Sequence, residues 1–119
     1  MASVDLDLCY MSATEALAKF RTKELSPVEL MKAVIARCEA VNPALNAITY
    51  DFFERALKQA RSSEDKYFGK SAGRGRGPRA LEGLPLAIKD FHPVKGEITT
   101  FGSKIYQDNI AAEDSFVWE

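Results

Sequence analysis

The sequence predicts an α/β fold in which helices pack on a mixed sheet that these residues do not complete. Three observations predict it. Two serine-capped amphipathic helices open the chain, at Ser12 and Ser26. Two short segments, Asn46–Tyr50 and Leu84–Ile88, have strand composition. Leu84–Ile88 is a near-continuous apolar run, which suits a strand buried on both faces as in parallel sheets. Two strands cannot flank each other on both sides, so the neighbours must come from further sequence or a partner chain. The expected organisation is therefore residues 1–119 as the N-terminal part of a single larger domain.

Met1–Met11 reads as a loose start. Ser12 and Glu15 have capping-box spacing, and Ala13, Ala16, Leu17 and Phe20 share the helix face that follows. Leu25 packs in the corner. Ser26, Pro27 and Glu29 mark a second start, with Leu30, Met31, Val34, Ile35, Cys38 and Val41 as a wide apolar stripe. Asn42-Pro43 is expected to end that helix, because a residue before proline avoids the helical region. After the Asn46–Tyr50 strand, Asp51 can cap a third helix with Phe53, Ala56, Leu57 and Ala60 inside, fading at Ser62-Ser63. Residues 64–80, rich in Gly and Arg, read as an exposed loop. Pro85 opens the next strand, where its missing N–H costs no ladder bond. Beyond it, Thr99 or Thr100 can cap a short helix over 101–106. Asp114 or Ser115 can cap another that begins with Phe116, Val117 and Trp118.

Composition excludes several classes. Hydrophobic residues make up 46% and charged residues 28% of the 119, with a net charge of -1. That balance exerts no global pull toward nucleic acid or acidic lipid. No apolar run reaches the roughly 20 residues of a membrane helix. Asp5 and Asp7 stand where a secretory signal carries basic residues. The expected compartment is cytoplasmic, with Cys9 and Cys38 as reduced thiols. Two Cys and His92, the single His, are too few for a zinc site. No cofactor or metal is expected.

Chemistry concentrates at Lys89, where the apolar run ends. Its local pattern allows two readings. It can be a strand-end lysine whose amine reaches solvent. It can also be held in an apolar setting, where desolvation favours the neutral amine and makes it a general base able to activate a serine. Asp90 points to the opposite face of a strand and is expected to cap the following turn. The run Thr99-Thr100-Phe101-Gly102-Ser103-Lys104 can hold an anion, orient a lysine, or simply cap a helix. Gly73–Gly77, GRGRG, reads as a solvated loop rather than an RNA-binding segment. His92 has no visible partner for a triad or metal site and is read as structural or surface.

The stretch LEGLPLAIKDFHPVKGEITTFGSK resembles the amidase signature family around its catalytic lysine: Gly, hydrophobic, Pro, aliphatic residues, Lys-Asp, then Thr-Thr and Gly-Ser-Lys about ten residues on. SPVELMKAVIARCEAVNPALNAIT resembles the family's N-terminal helix and first strand, and DNIAAEDSFVWE the start of its next helix. The resemblance runs from about Ser12 to the end. It implies amide hydrolysis by a Ser–cis-Ser–Lys relay, with Lys89 as the base, Ser103 as a nearby support and a small-molecule amide as substrate. The two relay serines belong to downstream glycine-rich motifs without counterpart here, so the chain alone is expected to be inactive. Phe91-His92 departs from the commoner asparagine after the aspartate. The A subunit of a tRNA-dependent amidotransferase resembles the same stretch. A non-catalytic interaction module, self-associating through unpaired sheet edges, is the reading from another class.

Overall fold

A computed structural model of the chain describes residues 4–69, 75 and 77–116. It divides into two compact units, Met1–Pro85 and Leu86–Glu119. Among the described residues of the first, the regular elements are four helices: α1 Leu6–Cys9, α2 Ala13–Thr22, α3 Pro27–Leu45 and α4 Phe53–Phe68.

The starts of α2 and α3 follow the sequence. The Ser12 hydroxyl accepts from the Glu15 amide at 3.1 Å and opens α2. At α3, Ser26 Oγ accepts from the Val28 and Glu29 amides while Glu29 returns a bond to the Ser26 amide, a complete capping box. The short α1 replaces the loose start expected for Met1–Met11. Asp5 caps it by accepting from the Leu8 amide.

The helix ends depart from it. α3 continues through Pro43 to Leu45 instead of stopping at Asn42-Pro43. A proline in the last turn removes only one helical bond. Asn42 then closes the end: its Oδ1 accepts from the Ile48 amide at 2.8 Å and its Nδ2 donates to the Ile48 carbonyl at 3.0 Å. With Asn46 as a left-handed cap (φ 51°), the Asn46–Tyr50 segment becomes a clamped turn rather than a strand. α4 starts from Phe52 with no side-chain cap, so Asp51 does not serve as one. It also runs past Ser62-Ser63, because Ser63 and Tyr67 are buried and bonded to a later segment. Residues 64–68 of the expected loop are therefore helical, and Gly73–Gly77 falls mostly outside the described residues.

The core gathers Ala16, Phe20, Leu25, Leu30 and Tyr67, with Leu8, Met11, Leu17, Val34 and Leu84 against it. Phe20 is fully buried, and its ring lies 5.6 Å from that of Tyr67, within the range of favourable aromatic pairs. Gly83 enters this core at φ 88°, where an added Cβ would stand 2.8 Å from Cγ of Pro27. Gly83→Ala adds a steric overlap to an unfavourable backbone region. We expect it to lower unfolding free energy by about 1–3 kcal/mol, read by denaturant titration.

The expected mixed sheet is absent. Among the described residues the β pairing is one isolated antiparallel bridge, Ile98 with Ile110. Leu84–Ile88 forms no regular element and joins no ladder, and Leu86 is 69% exposed rather than buried on both faces. Strand composition describes what a pleated, half-buried surface accepts, and a ladder also needs a partner strand. None of the described residues supplies one to Leu84–Ile88. The α/β expectation is thus corrected to a helical unit followed by a unit built of turns.

The second unit folds back on itself around Val94, Thr99, Ala111 and Ser115, all buried. Amide-to-carbonyl bonds join Gly96 to Ala111, Ala111 to Glu97 and Thr99 to Asn109, at 2.9 to 3.0 Å. The Asp114 carboxylate accepts from the Lys95 amide at 2.7 Å, and the Ser115 amide donates to the Pro93 carbonyl. Asp114 thus closes a loop instead of starting a helix, and residues 117–119 of that expected helix lie outside the described residues.

Candidate active site

The apolar run ends at Lys89, whose carbonyl accepts from the amides of Phe91 and His92 and turns the chain. The Lys89 side chain is exposed, and among the described residues no salt-bridge partner is found for it. The apolar enclosure of one sequence reading is therefore not formed by the described residues of this chain.

Asp90 has a different task from the one expected. It does not cap the turn beside it but reaches ten residues on. Its Oδ1 accepts from the Thr100 amide at 2.8 Å, and its Oδ2 accepts from the Thr100 hydroxyl. Thr100 Oγ1 in turn accepts from the Gly102 amide at 3.1 Å. The Ser103 amide donates to the Thr100 carbonyl at 2.9 Å, closing a turn with Phe101 and Gly102 at positive φ (53° and 72°). Two successive left-handed residues define a tight turn of the primed kind, which glycine enters freely and phenylalanine does not. The carboxylate clamp holds Phe101 there. Three aromatic rings stack edge to face over this loop: Phe91 with Phe101 at 6.4 Å, and Phe101 with Tyr106 at 5.6 Å.

The helix expected over 101–106 is a single 3-10 turn, Lys104–Tyr106. Ser103, not Thr99 or Thr100, caps it by accepting from the Ile105 amide. A hydroxyl used as acceptor keeps its proton for another partner. His92 does have a neighbour, since its Nδ1 lies 3.4 Å from the Ser115 hydroxyl.

Asp90→Ala should open the Thr100–Ser103 turn. The two bonds it removes are charge-assisted, the stronger class. Amide exchange at Thr100 should quicken by about tenfold or more, the equivalent of roughly 1.4 kcal/mol or more of lost protection. Asp90→Asn, which keeps one acceptor, should retain part of it.

Sequence reasoning missed Glu82, which fixes where the run toward Lys89 begins. Its buried carboxylate accepts from the Ser63 hydroxyl at 2.7 Å and from Arg79 Nε at 3.0 Å, and pairs with Lys66 Nζ at 3.0 Å. The Tyr67 hydroxyl donates to the Glu82 carbonyl at 3.0 Å. Burial pushes the Glu82 carboxyl up. The donors from Ser63, Lys66 and Arg79, with the Lys66 charge, outweigh that and hold it at about 2. The available signal was the spacing of Ser63, Lys66 and Tyr67, a helical i, i+3, i+4 set that turns three donors to one side.

The amidase family profile matches residues 29–119. The chain belongs to the amidase signature family. It is 40% identical over 114 residues to the A subunit of the glutamyl-tRNA(Gln) amidotransferase of Carboxydothermus hydrogenoformans, covering 96% of this chain and 22% of that protein. It is 40% identical over 111 residues to an acylamidase of Rhodococcus erythropolis, covering 93% of this chain and 22% of the relative. An amidase of Gibberella zeae is 33% identical over 115 residues, covering 97% and 20%. The chain thus spans about a fifth of the length of these family members. Among the described residues no three His, Cys, Asp or Glu side chains gather as a metal site. No described helix is long and apolar enough to cross a membrane.

Proposed function

We propose that this segment of an amidase signature protein supplies the base of amide-bond hydrolysis, with Lys89 as that base. One observation carries the reading: the Lys89-Asp90 pair lies inside the family match, and Asp90 is tied to the Thr100–Ser103 loop. In a Ser–cis-Ser–Lys relay the neutral lysine takes a proton through the bridging serine, and the second serine attacks the amide carbonyl. The anchored Asp90 restricts the backbone from which Lys89 projects, as proton transfer over hydrogen-bond distances demands. The sequence of residues 1–119 carries no glycine-flanked serine pair, so the isolated segment is expected to hydrolyse nothing. The substrate is a small-molecule amide and the compartment is the cytoplasm. The Leu84–Ile88 segment, which joins no ladder among the described residues, favours self-association.

A second reading has its own support in the likeness to the Carboxydothermus protein, whose identity equals that of the acylamidase. In it the segment belongs to the A subunit of a glutamyl-tRNA(Gln) amidotransferase. Co-purification with further subunits would favour it over a free-standing amidase. A non-catalytic interaction module stands as the reading in which Lys89 has no chemical role.

The test is a segment exchange. The matched residues of the Rhodococcus acylamidase are replaced by this chain, and hydrolysis of an aryl amide is measured. We expect activity within about tenfold of the parent, since a supporting segment that keeps the base loses only positioning. A folded exchange protein that neither labels with a serine-reactive phosphonate nor hydrolyses an amide would count against the proposal.

A further inference from the structure

Four rings run in a row that begins at His92, three residues past Lys89. His92 meets Phe91 at 5.2 Å, Phe91 meets Phe101 at 6.4 Å and Phe101 meets Tyr106 at 5.6 Å, with interplanar angles of 83°, 87° and 76°. Each pair is edge to face, the arrangement that ring quadrupoles favour. The row is not buried: Phe91 is 59% exposed, Phe101 49% and Tyr106 47%. Large rings held together yet open to solvent make an apolar patch of the kind that marks a binding surface. The candidate site fixes its place. Phe91 follows Asp90, and its amide donates to the Lys89 carbonyl at 2.6 Å. Phe101 follows Thr100, which the Asp90 carboxylate holds by its amide and its hydroxyl. Phe101 also stands at φ 53°, a region that glycine enters freely and a bulky side chain does not. A backbone cost borne for a half-exposed ring adds nothing to a core, and such outliers gather where ligands are clamped.

We propose that Phe91, Phe101 and Tyr106 form a shelf for the aryl group of an aromatic carboxamide, an inference that rests on the amidase reading of this segment. It narrows the substrate from any small amide to one whose carbonyl carries an aromatic ring. The chemistry favours that occupant over an alkyl group of equal size. An aryl ring has an electropositive edge and an electronegative face, so it extends the edge-to-face row by one member. A carbonyl on the ring draws electron density out and makes that edge more positive. A saturated ring lacks a π face and gains only the removal of apolar surface from water. Phe91 and Phe101 adjoin the two ends of the Asp90–Thr100 tie, so the bond that restrains the backbone at Lys89 also restrains the shelf. The three rings act on selectivity, and the proton transfer stays with Lys89.

The exchange acylamidase is assayed with benzamide and with cyclohexanecarboxamide, whose rings are similar in size and differ in the π system. Phe101→Gly removes the central ring and keeps the turn, because glycine accepts φ 53° without strain. In that variant the ratio of kcat/KM for benzamide over cyclohexanecarboxamide should fall by about two- to tenfold, the range of one aromatic pair. In parallel, both carboxamides are titrated into the unaltered 119-residue chain, and the ring proton signals of Phe91, Phe101 and Tyr106 are followed by NMR. Benzamide should shift them saturably and at lower concentration than cyclohexanecarboxamide, and Phe101→Gly should abolish the difference. An unchanged selectivity ratio would overturn the proposal, as would equal shifts from the two carboxamides or none from benzamide. An exchange protein that hydrolyses no amide counts against the amidase reading instead. The titration needs no turnover and then decides the shelf by itself.

Discussion

Lys89→Ala in the exchange acylamidase is expected to lower kcat by about 10²–10⁴-fold, the range spanned by a positioned general base. The loss should leave the fold intact. Lys89 is exposed, and among the described residues no ion pair holds it, so its removal should change stability by no more than about 0.5 kcal/mol. Lys89→Arg should be as inactive as the alanine variant, because a guanidinium stays protonated and cannot accept a proton. That pair of variants separates a base from a mere positive charge. A structural lysine would be rescued by arginine, and a base would not. Steady-state hydrolysis with a melting scan for each variant checks both halves of the expectation.

Glu82→Ala should cause the largest loss of stability outside the apolar core. With the carboxyl held at about 2 against an ordinary 4.5, its interactions are worth on the order of 3 kcal/mol at neutral pH. The Ser63 bond is buried and contributes fully. Arg79 is 75% exposed and contributes little to that sum, while Lys66 is intermediate. The folded-state value is depressed, so the stabilisation is complete above about 5. It drains away as pH falls toward about 2, where the folded carboxyl itself takes up its proton. Glu82→Gln keeps an acceptor for Ser63 and should cost less than alanine. It should also remove the slope of stability against pH between about 5 and 2, read by urea titration across that range. A slope unchanged in Glu82→Gln would place the acid sensitivity elsewhere.

What could be read from the sequence were the features that depend on a few neighbouring residues. The Ser26 capping box forms in full, and at Ser12 the hydroxyl half of the expected box forms, because these partners lie within one turn. The Lys-Asp and Thr-Thr pattern pointed to the family for the same reason: it is short, linear and chemically specific. The failures share a cause. Leu84–Ile88 has strand residues, but its ladder depends on a partner that no local pattern can supply. Ser62-Ser63 looks like a helix end until Glu82, nineteen residues later, bonds Ser63 and keeps the helix running. Asp90 looks like a local cap until Thr100, ten residues on, offers a stronger pair of donors. In each case a long-range contact outweighed a weak local preference. Such contacts leave no periodicity to read.

The role of Lys89 as the proton acceptor is tested most directly by the rate at which a serine-reactive phosphonate labels the exchange acylamidase. Labelling reports activation of the nucleophile without binding of the amide or release of product. A base at Lys89 predicts rapid labelling with the lysine present, and a rate about tenfold or more lower in both Lys89→Ala and Lys89→Arg. Equal labelling rates in all three proteins, each shown to be folded, would contradict it.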